Sequence, residues 1–291
     1  MRCTDDGTRC ASARLRCNDV SVSTNDTYTH GHHEAVLRSH RWRTAENSAG
    51  YLLDLLSPGQ RLLDVGCGPG TITTDLADLV APGSVLGIDQ SAEVIAQADE
   101  HARRTGTTNV TFATGDVYRL DADDESFDVV HAHQVLQHLT DPVAALREMR
   151  RVLTPDGICA VRESDYGAFV WAPADPRLTR WLQLYHEVTE RNRAFADAGR
   201  YLLGWAQAAG FSDIVATSST WTFADDDTRA WWGGLWADRV TALGSSFATQ
   251  AVDYGLSDPA ELSSIADGFR DWSHAPDGFF VVLHAELIAR R

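Results

Sequence analysis

The chain has 291 residues, and 44% of them are hydrophobic, enough to build one α/β domain with added segments. Its net charge of −16 repels phosphate groups, so we expect neither nucleic acid nor an anionic membrane surface as a partner. No apolar run reaches transmembrane length, and all 25 basic residues are arginine, which leaves no lysine for Schiff-base chemistry.

The first 25 residues are polar and rich in Ser, Thr, Asn and Asp, which is typical of a disordered or non-native tail. The tail lacks the apolar core of a signal peptide, and we expect a cytoplasmic protein. Cys3, Cys10 and Cys17 recur every seven residues, a wider spacing than the close cysteine pairs of zinc sites. We therefore expect no metal. Further along, Glu34–Leu56 carries apolar residues at helical spacing and predicts a helix.

A buried strand, a glycine-rich turn and a helix are predicted for residues 61–80. The apolar run Arg61–Val65 is typical of a buried parallel strand, and Thr71–Val80 predicts the helix. Three glycines stand between them at alternate positions: Gly66, Gly68 and Gly70. Glycines there let the backbone turn tightly and approach a ligand, as in the first strand–loop–helix unit of a nucleotide-binding fold. Neither the dinucleotide fingerprint nor the P-loop fits, because Thr71 replaces the third glycine of the former and the latter requires lysine.

Four more strands of a parallel sheet follow in the chain. They are predicted over Ser84–Asp89, Thr111–Val117, Ser126–His133 and Ile158–Arg162, with a helix over Val143–Leu153. Acids stand at the strand ends. Asp89 lies 25 residues after Asp64, near the spacing of a ribose-binding carboxylate, and Asp116 ends the third strand region.

The pattern Asp64-x-Gly-x-Gly-x-Gly resembles motif I of the class I S-adenosylmethionine-dependent methyltransferases. The resemblance covers residues 61–165. Within it, Phe-Asp-Val-Val from Phe127 and the stretch Leu146–Gly157 are similar to the subgroup of ubiquinone/menaquinone and natural-product methyltransferases. The resemblance implies a Rossmann-like, seven-stranded α/β sheet whose last strand is reversed, with S-adenosylmethionine as the cofactor.

The same resemblance implies which residues bind the cofactor. They are Asp64, Gly66, Cys67, Gly68, Gly70, Asp89, Gln90, Gly115, Asp116, Val117, His131 and Tyr28. Tyr28, with one of three nearby histidines, would belong to an N-terminal lid over the cofactor. The alternatives are a polar turn with exposed imidazoles and a transition-metal site. Arg41 or Arg43 would meet the cofactor carboxylate by a bidentate contact, with a solvated helix face as the alternative.

Candidate catalytic residues follow strands four and five, whose carboxyl ends face the substrate crevice. His133 is the favoured general base because an imidazole titrates near operating pH, and His138 is the second choice. Simple packing of these imidazoles beside the cofactor is the alternative. Glu163 or Asp165 is expected to line the pocket, unless it caps the next element.

The rest of the chain is expected to shape the acceptor site. Asp175–Ala209 is predicted to be largely helical, Thr217–Phe223 and Gly278–Ala289 are the last two strands, and Asp225–Trp272 is a helical insertion. The insertion contains Trp231, Trp232 and Trp236, which either pack against the core or form an aromatic wall for a flat acceptor. We divide the chain into a tail (1–25), a lid (26–60), a cofactor-binding core (61–224), a substrate cap (225–273) and a last core strand (274–291).

The sequence therefore predicts an S-adenosylmethionine-dependent methyltransferase of secondary metabolism. Its acceptor would be an aromatic or apolar small molecule, methylated on carbon, nitrogen or oxygen. Three alternatives stay open: a related enzyme that couples or replaces methylation with cyclisation, a non-catalytic cofactor-binding protein, and a nicotinamide oxidoreductase, which Gly70 and Thr71 disfavour. A homo-oligomer is also open.

Overall fold

The computed structural model of the protein describes residues 26–27, 29, 39–242 and 244–291. Tyr28 and the three neighbouring histidines of the predicted lid lie outside these residues. The helix predicted up to Leu56 is interrupted: one helical turn ends at Trp42, and α1 (Ala45–Leu53) begins after Arg43 and Thr44. Thr44 causes the break, because its side chain caps α1 while the Asn47 side chain accepts from the Thr44 N–H.

The described residues contain eight strands and eight further α-helices. The strands are β1 (Arg61–Val65), β2 (Ser84–Asp89), β3 (Val110–Thr114), β4 (Phe127–His133), β5 (Leu153–Ser164), β6 (Val170–Ala172), β7 (Asp213–Phe223) and β8 (Phe279–Arg290). The helices are α2 (Thr71–Val80), α3 (Ala92–Thr105), α4 (Pro142–Val152), α5 (Pro176–Arg191), α6 (Leu202–Ala208), α7 (Asp226–Thr241), α8 (Ser246–Asp253) and α9 (Pro259–His274). Short 3₁₀ turns cover Leu136–His138, Tyr166–Ala168 and Ala198–Tyr201. Within these ranges, no helix combines the length and the apolar character needed to cross a membrane.

The strands form one mixed sheet in the order β3-β2-β1-β4-β5-β8-β6, and β7 also pairs with β8. The first five strands pair in parallel, and β8 runs antiparallel to each of its neighbours. The reversed last strand is therefore confirmed. The strand count is one higher than expected, because β6 extends the line of β5 along the far end of β8.

Alternating side chains bury both faces of the parallel strands. Leu62 and Val129 lie with Leu52 of α1 and Leu76 of α2 in one hydrophobic core. On the opposite face Leu63, Val130 and Cys159 lie with residues of α4 and α6. The two layers of helices leave the carboxyl ends of the strands at one edge of the domain.

A third core belongs to the segments around β8 rather than to the parallel strands. It joins α5 with the insertion helices α7, α8 and α9 and is largely aromatic. The Trp181 and Trp236 rings meet edge to face with centroids 4.5 Å apart, and Phe223 stacks on Trp232 at 4.4 Å. Packing against the core is therefore the correct alternative for Trp236, which is buried here.

Candidate active site

A cavity opens at the carboxyl ends of β1, β2 and β4, the edge where α/β sheets bind their ligands. We call it the cofactor pocket. Many of the predicted cofactor and catalytic residues line it: Asp64, Gly66, Cys67, Gly68, Asp89, Gln90, Gly115, Asp116, Val117, His133 and His138. Two of the other predicted residues, Gly70 and His131, do not line it.

The glycine-rich turn forms one wall of this pocket. Gly66 and Gly68 both adopt left-handed backbone angles, with φ of +69° and +55°. A Cβ atom on Gly66 would lie 2.4 Å from Cγ2 of Val135, so any side chain there would force Val135 to move. Gly70 has a different role, because with φ of +80° it is the N-terminal cap of α2, and it lies against the ring of Phe112. Gly70 therefore supports the turn from the side facing Phe112 and does not line the cofactor pocket.

Two carboxylates project beside the turn. Asp89, at the end of β2, accepts hydrogen bonds from the backbone N–H groups of Gly68 at 3.3 Å and Ser91 at 3.0 Å. Asp116 accepts from the N–H of Tyr118 at 2.9 Å. Both side chains line the pocket and are partly exposed, and a carboxylate has enough lone pairs to accept further hydrogen bonds from a ligand.

Asp64 has a different environment although it belongs to the same sequence pattern. It is only 2% exposed; it accepts from the Thr73 hydroxyl at 2.6 Å, and its other oxygen lies 2.7 Å from Nδ1 of His131. The carboxylate thus ties the glycine-rich turn to α2 and β4. His131 is fully buried behind it, so the structure gives this histidine a contact with Asp64 in place of the predicted contact with the cofactor.

His133 ends β4 at the wall of the cofactor pocket. It is 5% exposed, and neither ring nitrogen has a hydrogen-bond partner among the described residues. Burial, reinforced by the positive charges of Arg43 and Arg162, holds its pKa well below 6.5. The imidazole is therefore neutral near pH 7 and can accept a proton. Burial also lowers the pKa of His138, in this case to about 3.

A second, much smaller cavity lies beyond the cofactor pocket, beside α7, with room for little more than one water molecule. We call it the aromatic chamber. Half of its lining is aromatic: it consists of Ser39, Trp42, Arg43, Gln134, Ser164, Tyr166, Phe169, Trp221, Trp231, Trp232, Arg239 and Val282. Its residues come from the N-terminal segment, β4, β5, β7, α7 and β8, so the tertiary fold alone brings them together.

Arg43 and Gln134 line both cavities and form the wall between them. The Arg43 guanidinium donates to the Gln134 side-chain oxygen at 2.5 Å, and the Gln134 amide nitrogen lies 2.8 Å from Nε2 of His284. Gln134 has a φ of +54°, an uncommon value for a residue with a side chain, and such strain concentrates at functional sites. Trp221 supports the wall, with Arg43 placed 5.7 Å from its ring centroid and His284 at 4.3 Å.

Comparison with known proteins identifies the family. A family model described as a methyltransferase domain matches residues 56–221. An uncharacterized methyltransferase of Schizosaccharomyces pombe, C1B3.06c, is 33% identical over 272 residues, covering 91% of this chain and 96% of the relative. The chain belongs to the class I S-adenosylmethionine-dependent methyltransferases.

Two further comparisons span most of the methyltransferase. The probable methyltransferase ltbC of Aspergillus luteorubrus is 28% identical and covers 93% of this chain and 99% of its own. The crystal structure of the YcgJ protein from Bacillus subtilis superposes with a TM-score of 0.54 at 20% identity, covering 84% of this chain and 99% of YcgJ. The predicted fold class is confirmed, and S-adenosylmethionine is the cofactor of the methyltransferase.

The two acids at the end of β5, Glu163 within the strand and Asp165 directly after it, line neither cavity. Asp165 forms an ion pair with Arg200 at 2.5 Å and also accepts the Arg200 N–H, so it anchors the turn before α6. This corrects the prediction that Asp165 acts in the substrate pocket. Glu163 is fully buried and accepts backbone N–H groups of the chain after β4, from Val135 at 2.8 Å and Leu136 at 2.7 Å.

Three residues at the wall were not predicted from the sequence: Gln134, Trp221 and His284. Gln134 directly follows a strand whose end was expected to face the substrate, and that position was the available signal. Trp221 and His284 lie on β7 and β8, outside the motif region, and nothing in their local sequence distinguishes them from core residues. Arg43 was one of two arginines considered for the cofactor carboxylate, with a solvated helix face as the alternative, and it lines both cavities.

Proposed function

We propose that this methyltransferase transfers the methyl group of S-adenosylmethionine, bound in the cofactor pocket, to a small flat acceptor at the wall that the pocket shares with the aromatic chamber. The proposal rests above all on the shared wall, because Arg43 and Gln134 line both cavities. A donor in the cofactor pocket and an acceptor at that wall would be in contact. The acceptor would be aromatic or apolar, and its carbon, nitrogen or oxygen atom would receive the methyl group.

The residues of the cofactor pocket fit S-adenosylmethionine. The absence of side chains at Gly66 and Gly68 lets the backbone come close to a ligand. Asp89 offers a carboxylate to the two ribose hydroxyls, and Asp116 offers another to the exocyclic amine of adenine. The acids also favour a ligand with a positively charged sulfonium through simple Coulomb attraction.

Bound S-adenosylmethionine supplies a methyl carbon on a sulfonium, a leaving group that departs as a neutral thioether. The main contribution of the chain is then to align the acceptor, and well-oriented reactions gain roughly 7–11 kcal/mol in this way. Where the acceptor atom carries a proton, His133 accepts it. The neutral state of this imidazole near pH 7 keeps it ready for that step.

The segments around the core would form the lid and the cap of the reaction site. In the N-terminal segment, the break at Thr44 directs Arg43 to the wall while Trp42 contacts Trp221 with ring centroids 5.1 Å apart. From the insertion, α7 supplies Trp231 and Trp232 to the aromatic chamber. We assign residues 26–60 to the lid and 225–273 to the cap on this basis.

Calorimetric titration with S-adenosylmethionine and with NAD tests the cofactor part of the proposal. We expect binding of the former alone; binding of NAD alone would contradict it. Incubation with radiolabelled S-adenosylmethionine and a panel of indoles, quinones, phenols and amines tests the transfer step. Label is expected in at least one flat acceptor, and its appearance solely in aliphatic amines would contradict the assignment of the aromatic chamber.

A further inference from the structure

A short helical turn from the N-terminal segment borders the cofactor pocket together with the glycine-rich turn. We call residues 39–43 the lid turn. His40 and Arg43 of the lid turn both line the pocket. A Cβ atom on Gly68 would lie 3.8 Å from Nδ1 of His40, so the two segments approach within van der Waals distance. The way in which they are fastened to each other therefore affects any ligand that the pocket holds.

Thr71 fastens the two segments to each other. It directly follows Gly70 as the first residue of α2, and it lines the pocket. Its hydroxyl donates to the carbonyl oxygen of His40 at 3.2 Å. The backbone N–H of Arg43 donates to the same carbonyl at 3.1 Å, and the Arg43 guanidinium donates to Gln134. A continuous series of hydrogen bonds thus runs from the glycine-rich turn through the lid turn to the wall of the pocket.

Other contacts of the lid turn come from segments outside the glycine-rich turn. Ser39 accepts a hydrogen bond from Arg239 of α7, and the Trp42 ring lies 5.1 Å from that of Trp221 on β7. These contacts fasten the lid turn to α7 and β7. The Thr71 hydroxyl instead fastens it to the segment on which the cofactor would lie.

The residue type at position 71 matters for this contact. Thr71 stands where the dinucleotide-binding fingerprint has its third glycine, and a glycine has no side chain that could donate to the lid turn. The branched Cβ of threonine also restricts the orientation of its hydroxyl. The position that separates this chain from the dinucleotide-binding proteins is therefore the one that holds the lid turn.

The order of the strands indicates which part of the cofactor lies beside the lid turn. Asp89, proposed to bind the ribose, ends β2, and β1 separates β2 from β4. The lid turn lies on the β4 side: His40 is beside Gly68 in the turn after β1. Arg43 contacts Gln134, the residue after β4. With its ribose at β2, S-adenosylmethionine would extend its amino-acid part toward β4 and the lid turn.

We infer that Thr71 is a positioning residue, which holds the lid turn against the amino-acid part of the bound cofactor. It acts through the carbonyl group of His40. The inference rests on the cofactor part of the proposed function and adds a residue that controls how long the cofactor stays bound. Loss of the hydroxyl should loosen the lid turn and leave the contacts of Asp89 with the nucleoside intact.

Calorimetry with a matched pair of ligands tests the inference. Thr71→Val keeps the shape of the side chain and removes the hydroxyl. S-adenosylhomocysteine should bind to this variant about three-fold more weakly or worse, which is the effect of losing one neutral hydrogen bond, and should dissociate faster by the same factor in stopped-flow experiments. The affinity for 5′-methylthioadenosine, which has the same nucleoside and no amino-acid part, should not change. Unchanged affinity for both ligands, or an equal loss for both, would overturn the inference.

Three further variants separate the hydroxyl from general effects on folding. Thr71→Ser retains the hydroxyl and should bind S-adenosylhomocysteine as the wild type does; a loss equal to that of Thr71→Val contradicts the inference. Thr179→Val is the control, because its hydroxyl donates to the Asp175 carbonyl within α5, and both affinities should stay constant. If melting temperatures show that Thr71→Val does not fold, Thr71→Ala removes the hydroxyl without an added methyl group and decides by the same criteria.

Hydrogen exchange measures the lid turn directly. The N–H of Arg43 shares the His40 carbonyl with Thr71, so the amides of residues 42–43 should exchange faster in Thr71→Val than in the wild type, each with S-adenosylhomocysteine bound. A role of Thr71 confined to α2 predicts equal exchange there, and equal exchange would contradict the inference.

The outcome is distinguishable from failure of the proposed function. If the wild type binds neither S-adenosylmethionine nor S-adenosylhomocysteine, both the proposed function and the inference fall. If the wild type binds S-adenosylhomocysteine and Thr71→Val binds it equally well, the proposed function stands and the inference alone falls.

Discussion

The cofactor pocket and the aromatic chamber meet at one wall but are built on different principles. The pocket is formed mainly by consecutive strand ends and carries acids and glycines, whereas the chamber combines residues between 39 and 282 and carries arginines and aromatic rings. Acids suit a positively charged donor, and guanidinium groups suit an electron-rich acceptor. The residues of the cofactor pocket therefore follow from local sequence, whereas those of the proposed acceptor site are brought together only by the tertiary fold.

Among the variants proposed here, Gly66→Ala should weaken the binding of S-adenosylmethionine most. The added Cβ would lie 2.4 Å from Val135 at a φ of +69°, so both overpacking and backbone strain act at the turn. Together these cost on the order of 2–4 kcal/mol, and we expect about a hundred-fold weaker binding of S-adenosylmethionine by calorimetry. Gly204→Ala is the control, because a Cβ there meets nothing within 4 Å and should leave affinity unchanged. Unaltered affinity in Gly66→Ala would show that the ligand does not contact this turn.

The variant His133→Asn tests whether His133 accepts a proton from the methyl acceptor. For an acceptor that must lose a proton, general base catalysis contributes at least about a hundred-fold, so kcat should fall by that factor while cofactor affinity stays constant. Because the pKa of His133 is held below 6.5, the acid limb of the wild-type profile of kcat/KM should have its midpoint below that value and vanish in the variant. His274→Asn, on the exposed end of α9, is the control. Full turnover of the variant at every pH would remove His133 from the mechanism.

Asp89→Asn probes the carboxylate expected to hold the ribose. Hydrogen bonds to a charged group contribute about 1.5–3 kcal/mol, and the amide keeps one acceptor oxygen. Affinity for S-adenosylmethionine should therefore fall by about ten-fold, measured by calorimetry, while the KM for the methyl acceptor stays unchanged. Glu93→Gln, on the nearby helix α3, serves as the control for charge alone. A variant that raised the KM for the methyl acceptor and kept cofactor affinity would reverse the assignment of the two cavities.

The two halves also differ in how far the sequence alone predicts them. The bounds of β1, β2 and α2 were predicted to the residue, since each is a short apolar or amphipathic run bordered by glycine or an acid. Gly70 and His131 were assigned to the ligand because a linear pattern does not distinguish a residue that contacts it from one that supports the turn. The aromatic chamber depends on strand register, such as Trp221 of β7 beside Val282 of β8, and no local pattern reports that pairing.

Glu163→Gln is expected to have the smallest effect on ligand binding, no more than about three-fold, because the amide oxygen can still accept the N–H groups of the chain after β4. Its effect lies in the pH dependence of stability. Burial raises the pKa of Glu163 to about 8, whereas the unfolded carboxyl titrates near 4.5, so the folded state holds one more proton between these values. The free energy of unfolding should therefore fall as pH rises through this window, by on the order of 1 kcal/mol per pH unit, and this slope should be absent from the variant.

Glu261→Gln is the matched control: Arg180 lowers the pKa of that partly exposed carboxyl, so it titrates below the window and its removal should leave the slope in place. Denaturant titrations at several pH values measure the slope of each variant. An identical slope in Glu163→Gln and in wild type would mean that Glu163 is ionised in the folded protein. The protein would then carry a negative charge beside Arg43, and the two cavities would differ less in charge.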